Sequence, residues 1–394
     1  MSTPQDLLFN KPWGLAARLA LSLCLTVALP LAAQANLSKS NTTSSVKPAS
    51  KRAAETPALI VGTGSAYAKR ADAMALADEI AQQHDLDRAW VRRTLGKARL
   101  VPQLSKLVVP PPVSAPRNWQ QYRQRLLDAG RIDAGVSFWR EHHDDLERAS
   151  LSYGVPPDII IGIIGVETYF GRHQGRYRVL DALATLALDF PAEHPRAAAR
   201  TAFFRNELGE FLKQERLAKT DPLKARGSYA GAMGIPQFMP SSWAKYAVDF
   251  DGDGRIDLSN SPADAIGSVA NYFKSFNWKT GMPTHYRVDF DAQRLDMSSL
   301  LGPDIKPTFD LDQFSAMGAV LGGDAQQHDG PLALIELRNG EFEPNYVAGT
   351  ENFYVVTRYN WSAFYAMAVI ELGQAVASAR RAQTGIFSTA SARP

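Results

Sequence analysis

An apolar stretch that glycines interrupt, from Gly154 to Gly171, constrains the fold more than any other feature of this chain. Prolines and Asp158 stand at its beginning and Gly171 at its end, and such residues typically start and stop a helix. On a helical period, Glu167 shares a face with the isoleucines at 160, 163 and 164. A carboxyl group in apolar surroundings loses hydration, which raises its pKa and keeps it protonated near neutral pH. Glu167 is therefore a candidate general acid, although this helix alone equally allows an acid at the end of a core helix that reaches back to solvent.

The N-terminus has the features of a secretory signal. Lys11 and Arg18 precede an apolar run from Leu19 to Ala32, and the following Ala33-Gln34-Ala35 supplies a small-x-small cleavage site. We expect residues 1–35 to be removed after Ala35, which places the protein in the periplasm. An uncleaved membrane anchor is the alternative, but the apolar run is short for a bilayer span. Residues 36–57 are rich in Ser, Thr, Ala and Lys, and we expect them to form a flexible linker.

Cysteine usage and charge exclude several classes of function. The only cysteine, Cys24, lies inside the apolar run, so cleavage leaves a chain without a disulfide framework or a thiol nucleophile. The composition, with 45% hydrophobic and 21% charged residues, is that of an ordinary globular protein. Basic residues are scattered without a nucleic-acid-binding signature, so we expect no nucleic-acid partner.

Residues 58–394 have the pattern of one helix-rich domain with a minor strand component, an α+β fold that is predominantly α. The apolar periodicity predicts helices over Ala66 to His84, Arg88 to Ala98, Trp119 to Ala129, Ile132 to Tyr153, Leu180 to Leu188, Ala197 to Leu217 and Ala263 to Phe276. Short β-type runs predict strands at His285 to Phe290, Leu332 to Leu337 and Phe353 to Thr357. Asn360 is then expected to cap a final helix that runs to about Ala379.

Two segments carry side chains that suit an extended polar ligand. Residues 227–243 are dense in glycine, which permits unusual backbone angles and the close approach of a ligand, and Ser228 and Gln237 add hydrogen-bonding groups. Residues 358–367 contain tyrosines and a tryptophan, whose faces stack on sugar rings. Each segment also has a purely structural interpretation, as a tight loop before a helix and as a capped helix with core aromatics. Taken alone, the second segment favours the structural interpretation.

The acidic run from Asp249 to Asp257 matches the beginning of an EF-hand calcium loop. Aspartates at loop positions 1, 3 and 5 provide oxygen ligands, Gly254 makes the turn, and Arg255 offers its carbonyl. Position 12 is Asn260 instead of the usual bidentate Glu, so Asp264 is the candidate that closes a longer loop, residues 249–264. We expect calcium here, against the alternative of a solvated acidic turn that needs no ion.

Taken together, five segments resemble in their order the lytic murein transglycosylase B family, a lysozyme-like group that acts on bacterial peptidoglycan. The resemblance covers roughly Leu59 to Ala379. Its motifs are Gly165-Val166-Glu167-Thr168 with Gly171, Asp181 to Leu186, Gly231 to Gly234 with Gln237 to Ser241, Ala265 to Phe273, and Tyr359-Asn360 with Tyr365 to Val369.

This resemblance implies a lysozyme-like core with a helical flanking region and a small β-containing subdomain. It implies that Glu167 is the only catalytic acid/base. It also implies glycan-cleft residues, namely Ser228, Gln237, Tyr272, Tyr359, Asn360 and Tyr365, and Ca²⁺ ligands, namely Asp249, Asp251, Asp253, Arg255 through its carbonyl, and Asp264. The implied partners are peptidoglycan glycan strands, with cell-wall synthesis proteins as further candidates. We expect a monomer without an organic cofactor.

A single acid restricts the reaction. A two-carboxylate glycosidase needs a second acid near the scissile bond, and the sequence shows none in a suitable motif. One carboxyl group suffices if the substrate supplies its own nucleophile. We therefore expect a lytic transglycosylase that cleaves the β-1,4 bond between N-acetylmuramic acid and N-acetylglucosamine and leaves 1,6-anhydromuramic ends. A hydrolytic muramidase and a non-catalytic peptidoglycan-binding scaffold are the alternatives.

Overall fold

The computed structural model describes residues 58–109 and 116–390, the last seven of them as backbone only. The predicted signal segment, residues 1–35, and the predicted linker, residues 36–57, lie outside the described residues. The described helices are α1 (Ala71–Gln83), α2 (Arg88–Gly96), α3 (Leu104–Val108), α4 (Trp119–Leu126), α5 (Ala129–Glu141), α6 (His143–Tyr153), α7 (Pro157–Thr168), α8 (Val179–Leu188), α9 (Ala197–Leu217), α10 (Pro240–Tyr246), α11 (Pro262–Ser275), α12 (Met297–Leu301), α13 (Leu311–Ala316), α14 (Glu351–Tyr359) and α15 (Ala363–Ala390).

The strands are short, and the pairings between them are antiparallel among the described residues. They are β1 (Tyr177–Arg178), β2 (Arg226–Gly227), β3 (His285–Arg287), β4 (Asp289–Phe290), β5 (Ala319–Val320), β6 (Ala333–Asn339) and β7 (Phe342–Gly349). Strands β3, β7 and β6 form a three-stranded sheet in that order, and β1–β2 and β4–β5 form two-stranded ribbons. The prediction of a predominantly helical α+β fold is confirmed.

The central helix α7 is buried on every side, as a helix that is apolar all round must be. Its five isoleucines are at most 4% exposed, and its main partner is the long helix α15. Two glycines allow the two backbones to touch. A Cβ atom at Gly162 would lie 2.1 Å from the carbonyl oxygen of Val369, and one at Gly373 would lie 2.0 Å from that of Asp158. The glycines that interrupt this apolar segment therefore serve close helix packing.

Three hydrophobic clusters divide the interior. The first surrounds α7 and α15 and includes α11 and α14. The second joins α1, α2, α8 and α9, and the third fills the space between the small sheets, α12 and α13. The glycine-rich loop, residues 227–239, begins at β2 and ends at α10, so the ribbon β1–β2 fixes its first residue.

Two predictions about the segment before α15 are wrong. Residues 353–357, predicted as a strand, belong to helix α14, although three of them are β-branched. The buried residues of α14 recur at helical spacing, from Asn352 and Phe353 through Val355 and Val356 to Tyr359, and burial of that face outweighs strand propensity. Asn360 does not cap the start of the final helix: it is the C-cap residue of α14, with an extended backbone, and α15 begins at Ala363.

Other boundaries differ in smaller ways. The single helix predicted from Ile132 to Tyr153 is two helices, α5 and α6, with a break at His142. The hairpin strand β7 was not predicted. Within the described residues, no single helix has the length and apolar composition to cross a membrane, and two helix pairs that meet these criteria jointly are bent by 117° and 103°.

Candidate active site

The end of helix α7 is strained beside its acid. Residues 169–171 all adopt left-handed backbone angles, with φ of 52°, 59° and 80°. Such angles are costly for the first two, which are aromatic, and strain of this kind concentrates at functional sites. The Thr168 hydroxyl stabilises the turn, because it accepts a hydrogen bond from the Gly171 amide (2.9 Å) and donates one to the Ile235 carbonyl (2.8 Å). The last turn of α7, which carries Glu167, is thereby tied to the glycine-rich loop.

Glu167 has the electrostatics of a general acid. The residue is half-buried, and burial raises the pKa of its carboxyl group to about 8. Tyr365, which is 1% exposed, donates a hydrogen bond to Glu167 Oε1 over 2.6 Å and lowers that pKa, but by less than burial raises it. Among the described residues, no second carboxyl group perturbs the pKa of Glu167. The acid is therefore protonated at neutral pH.

Three predicted cleft tyrosines form one aromatic cluster next to this acid. Tyr365 stacks on Tyr359 with ring centroids 6.5 Å apart, and Tyr359 contacts Tyr272 at 4.9 Å. The hydroxyl of Tyr359 donates to the carbonyl of Pro236 (2.6 Å), and that of Tyr272 donates to the carbonyl of Arg358 (2.7 Å). Both hydroxyls are thus engaged within the protein. The Tyr359 hydroxyl holds the glycine-rich loop, and the Tyr272 ring packs against Phe238 of that loop at 5.7 Å.

The glycine-rich loop is held by its own polar side chains. Ser228 Oγ accepts hydrogen bonds from two backbone amides of the loop, at 3.0 and 3.3 Å. Gln237 has a φ of 52°, and its Nε2 donates to the carbonyl of Gly234 over 2.9 Å. At Gly234 itself φ is 74°, and a Cβ atom would lie 2.6 Å from a backbone oxygen of Leu258, so only glycine fits. Ser228 and Gln237 remain partly exposed and keep further hydrogen-bonding capacity.

Asn360 is 6% exposed and lies between the cluster tyrosines in the chain. Within residues 58–109 and 116–390, its side-chain amide has no hydrogen-bond partner, and an amide in such a position is available to a ligand.

Tyr122 on α4 belongs to this site and was not among the residues predicted from the sequence. Its pKa is raised to about 12, first by burial and then by the negative charge of Glu167 when ionised. Its ring contacts Phe364, the residue before Tyr365, at 5.8 Å. The only signal in the sequence is a pair of aromatic residues, Trp119 and Tyr122, at helical spacing, and core packing produces the same pattern.

The acidic loop gathers three of its five predicted ligands. Asp249, Asp251 and Asp264 each place one carboxylate oxygen so that all three lie within 4.8 Å of one another. Asp264 is 1% exposed and accepts backbone hydrogen bonds at 2.7 and 2.8 Å from the loop, which explains how an acid outside the usual spacing reaches the cluster. The Asp253 carboxylate is not part of this cluster and instead accepts from the Arg255 amide at 2.8 Å. Three hard carboxylate oxygens form a donor set that suits Ca²⁺.

Comparison with known proteins identifies the family. Residues 68–374 match the family described as Transglycosylase SLT domain. The chain is 40% identical over 329 residues to the membrane-bound lytic murein transglycosylase B of Escherichia coli strain K12, covering 82% of this chain and 87% of that protein. This chain belongs to the lytic murein transglycosylase B family.

Solved structures agree with this membership. The E. coli lytic transglycosylase Slt35, solved in complex with bulgecin A and separately with calcium, is 40% identical and superposes with a TM-score of 0.70, covering 81% of this chain and 97% of Slt35. SltB3 of Pseudomonas aeruginosa, solved with NAG-anhNAM-pentapeptide, is 29% identical with a TM-score of 0.65, covering 76% of this chain and 78% of SltB3. The lysozyme-like fold expected for this family member is therefore confirmed.

Proposed function

We propose that Glu167 of this peptidoglycan lytic transglycosylase serves first as acid and then as base. The observation that carries the proposal is one carboxyl group with a pKa near 8, held by Tyr365, with no second carboxyl group perturbing it among the described residues. The relatives named above are lytic transglycosylases, and SltB3 was solved with an anhydromuramic ligand that bears a pentapeptide.

The first step breaks the glycosidic bond. Because Oε1 of Glu167 accepts the hydrogen bond from Tyr365, we assign the acidic proton to Oε2. Glu167 gives this proton to the oxygen of the β-1,4 bond between N-acetylmuramic acid and N-acetylglucosamine, and the bond from that oxygen to muramic C1 breaks. The acetamido group of the same sugar stabilises the positive charge at C1, so the protein needs no second carboxylate.

The second step closes the anhydro ring. Glu167, now a carboxylate, takes the proton of the muramic C6 hydroxyl, and O6 bonds to C1. The acid is regenerated, and no water is consumed. Tyr365 stabilises the carboxylate between the steps, since a hydrogen bond to a charged acceptor is stronger than one to a neutral acceptor.

The cleft residues divide into two roles. Ser228, Gln237 and Asn360 offer amide and hydroxyl groups to the sugar substituents. Tyr359 holds the glycine-rich loop through the Pro236 carbonyl, and Tyr272 packs against Phe238 of that loop. We also propose that the loop 249–264 binds Ca²⁺ as a structural ion through Asp249, Asp251 and Asp264, with Asp253 and the Arg255 carbonyl as the remaining ligands. The calcium complex of Slt35 supports this assignment.

We further propose that residues 1–35 direct export to the periplasm and are cleaved after Ala35. In the periplasm, the enzyme meets the glycan strands as a monomer. The basis is the sequence of the N-terminus.

A matched pair of variants tests the role of Glu167. Glu167→Gln should abolish the loss of turbidity of purified cell-wall sacculi while leaving sedimentation of the protein with sacculi intact. Glu207→Gln is the control, because Glu207 is also buried with a pKa raised to about 7 but lies on α9, where it accepts hydrogen bonds from Ser241. Substantial activity of Glu167→Gln, or an equal loss in both variants, contradicts the assignment.

A further inference from the structure

The acidic loop, residues 249–264, is in direct backbone contact with the glycine-rich loop. The amide of Ile235 donates a hydrogen bond to the carbonyl of Leu258 over 2.7 Å. A Cβ atom at Gly234 would lie 2.6 Å from the same carbonyl oxygen, so the two backbones touch. Leu258 is fully buried and Ile235 is 4% exposed. Since a close-packed interior leaves little free space, a displacement of one loop displaces the other.

This contact continues to the catalytic helix. The carbonyl of Ile235 accepts a hydrogen bond from the hydroxyl of Thr168 over 2.8 Å, and Thr168 directly follows Glu167 on α7. Thr168 is 1% exposed, so water does not replace this bond. Two hydrogen bonds, through Leu258 and Ile235, therefore connect the acidic loop with the last turn of the helix that carries the acid.

Gln174 forms a second connection between the acidic loop and the cleft. Its Nε2 donates to the carbonyl of Ser259 over 2.9 Å and to the carbonyl of Gly171 over 3.2 Å. Its own backbone carbonyl accepts a hydrogen bond from the side-chain amide of Gln237 over 3.2 Å. One residue thus joins the acidic loop, the left-handed turn after α7 and a side chain of the glycan cleft.

The charges of the acidic loop make its closed form dependent on a cation. Oxygens of Asp249, Asp251 and Asp264 lie within 4.8 Å of one another, and carboxylates at such distances repel each other. A bound divalent cation reverses this repulsion, because its charge is the largest in the site. The closed loop is also the form that presents the carbonyls of Leu258 and Ser259 to Ile235 and Gln174.

We propose that calcium in the acidic loop and a glycan strand in the cleft bind cooperatively, with Gln174 as the positioning residue that joins the two sites. This rests on the proposed function, including the proposed calcium site. Each ligand favours the same closed arrangement of the two loops, so each strengthens the binding of the other by the same factor. Couplings of this kind begin at about fivefold.

The test is a calorimetric titration of calcium into Glu167→Gln, which should bind glycan without cleaving it. The dissociation constant for calcium should fall about fivefold when glycan strands, freed of their peptides by an amidase, are present at saturation. The dissociation constant for the strands should fall by the same factor at saturating calcium. A titration of calcium into the strands alone measures the ions that their own carboxylates bind.

A matched pair of glutamine variants, each combined with Glu167→Gln, tests the connection. Gln174→Ala should reduce the fivefold effect to about twofold, because Ser259 loses its hydrogen bond from the cleft side. Gln326→Ala is the control: Gln326 is exposed, its amide donates to the Leu321 carbonyl over 3.4 Å, and it lies outside both loops. It should leave the fivefold effect unchanged. Thermal unfolding of each variant confirms that it is folded.

The outcomes separate the coupling from the proposals on which it rests. A calcium dissociation constant that the strands leave unchanged overturns the coupling, while the calcium site and the reaction stand. Equal effects in Gln174→Ala and Gln326→Ala overturn the role of Gln174. Absence of calcium binding overturns the calcium site and the coupling together. Absence of anhydro ends from the wild-type digest overturns the proposed reaction instead.

Discussion

Replacing Tyr365 by Phe isolates the one hydrogen bond that opposes protonation of the acid. The Tyr365 hydroxyl donates to Glu167 Oε1 over 2.6 Å, and both side chains pack in the same cluster, so the substitution removes one oxygen from a site that is 1% exposed. The ring and its stacking on Tyr359 are retained. The change therefore acts mainly on the proton affinity of Glu167.

The magnitude follows from the strength of the bond in the two protonation states. A hydrogen bond to a charged acceptor contributes about 1.5–3 kcal/mol and one to a neutral acceptor about 0.5–1.5 kcal/mol. Their difference of about 1–1.5 kcal/mol corresponds to about one pH unit. Because the bond stabilises the carboxylate, its loss should raise the pKa of Glu167 above the value of about 8 in the wild type.

The assay is the pH dependence of kcat/KM on soluble peptidoglycan fragments. The free enzyme must hold the proton for the first step, so kcat/KM of the wild type should fall as the pH rises through about 8. In Tyr365→Phe that decline should move about one unit to higher pH. A decline that stays in place or moves to lower pH would refute the assignment of Tyr365 as the residue that stabilises the carboxylate.

Three further predictions concern stability. The pKa of Glu167 is raised from 4.5 to about 8 on folding, so between these pH values the folded state keeps a proton that the unfolded chain has released. The free energy of unfolding therefore falls as the pH rises through this window. Glu167→Gln removes this loss of stability, and the thermal midpoint of the variant relative to wild type should be higher near pH 9 than near pH 5. Calcium at about 100 times its dissociation constant should stabilise the wild type by about 2.7 kcal/mol, a rise of about 4 °C in scanning calorimetry. Asp251→Asn should abolish this rise, whereas Asp289→Asn, at an exposed residue, should not. Ser241→Ala leaves the buried Glu207 with one hydrogen bond fewer and should lower the free energy of unfolding in urea by about 1–2 kcal/mol, with no change in the calcium effect.

The sequence was sufficient to predict a structural element where its local residue pattern agrees with the burial of those residues in the fold. The apolar period and terminal glycine around Glu167 predict α7, because a helix that is buried on all sides needs few tertiary details to be recognised. The spacing of Asp249 and Asp251 predicts their approach, since an EF-hand-like loop encodes its own turn. Asp264 joins them from the first turn of α11, outside the usual EF-hand spacing, as the candidate that closes a longer loop.

The sequence was insufficient where tertiary packing decides the secondary structure of a segment or the contacts of a side chain. Val355 and Val356 have strand propensity, yet they are buried in α14, because neighbouring helices bury that face. Tyr122 reaches the acid only because α4 packs against α15, a contact between distant segments that no local spacing reveals. The Tyr272 and Tyr359 hydroxyls likewise donate hydrogen bonds to carbonyl groups of other segments of the chain, and no local spacing reveals these bonds.

Digestion of sacculi in water enriched in oxygen-18 tests the central claim most directly. If the Glu167 carboxylate takes the proton of the C6 hydroxyl and O6 attacks C1, mass spectrometry of the muropeptides released by the wild type should show anhydro ends, one water lighter than hydrolysis products and free of oxygen-18. Glu167→Gln should release neither kind of product. Reducing ends that carry oxygen-18 would show that water attacks C1, and they would contradict transglycosylation by a single acid/base.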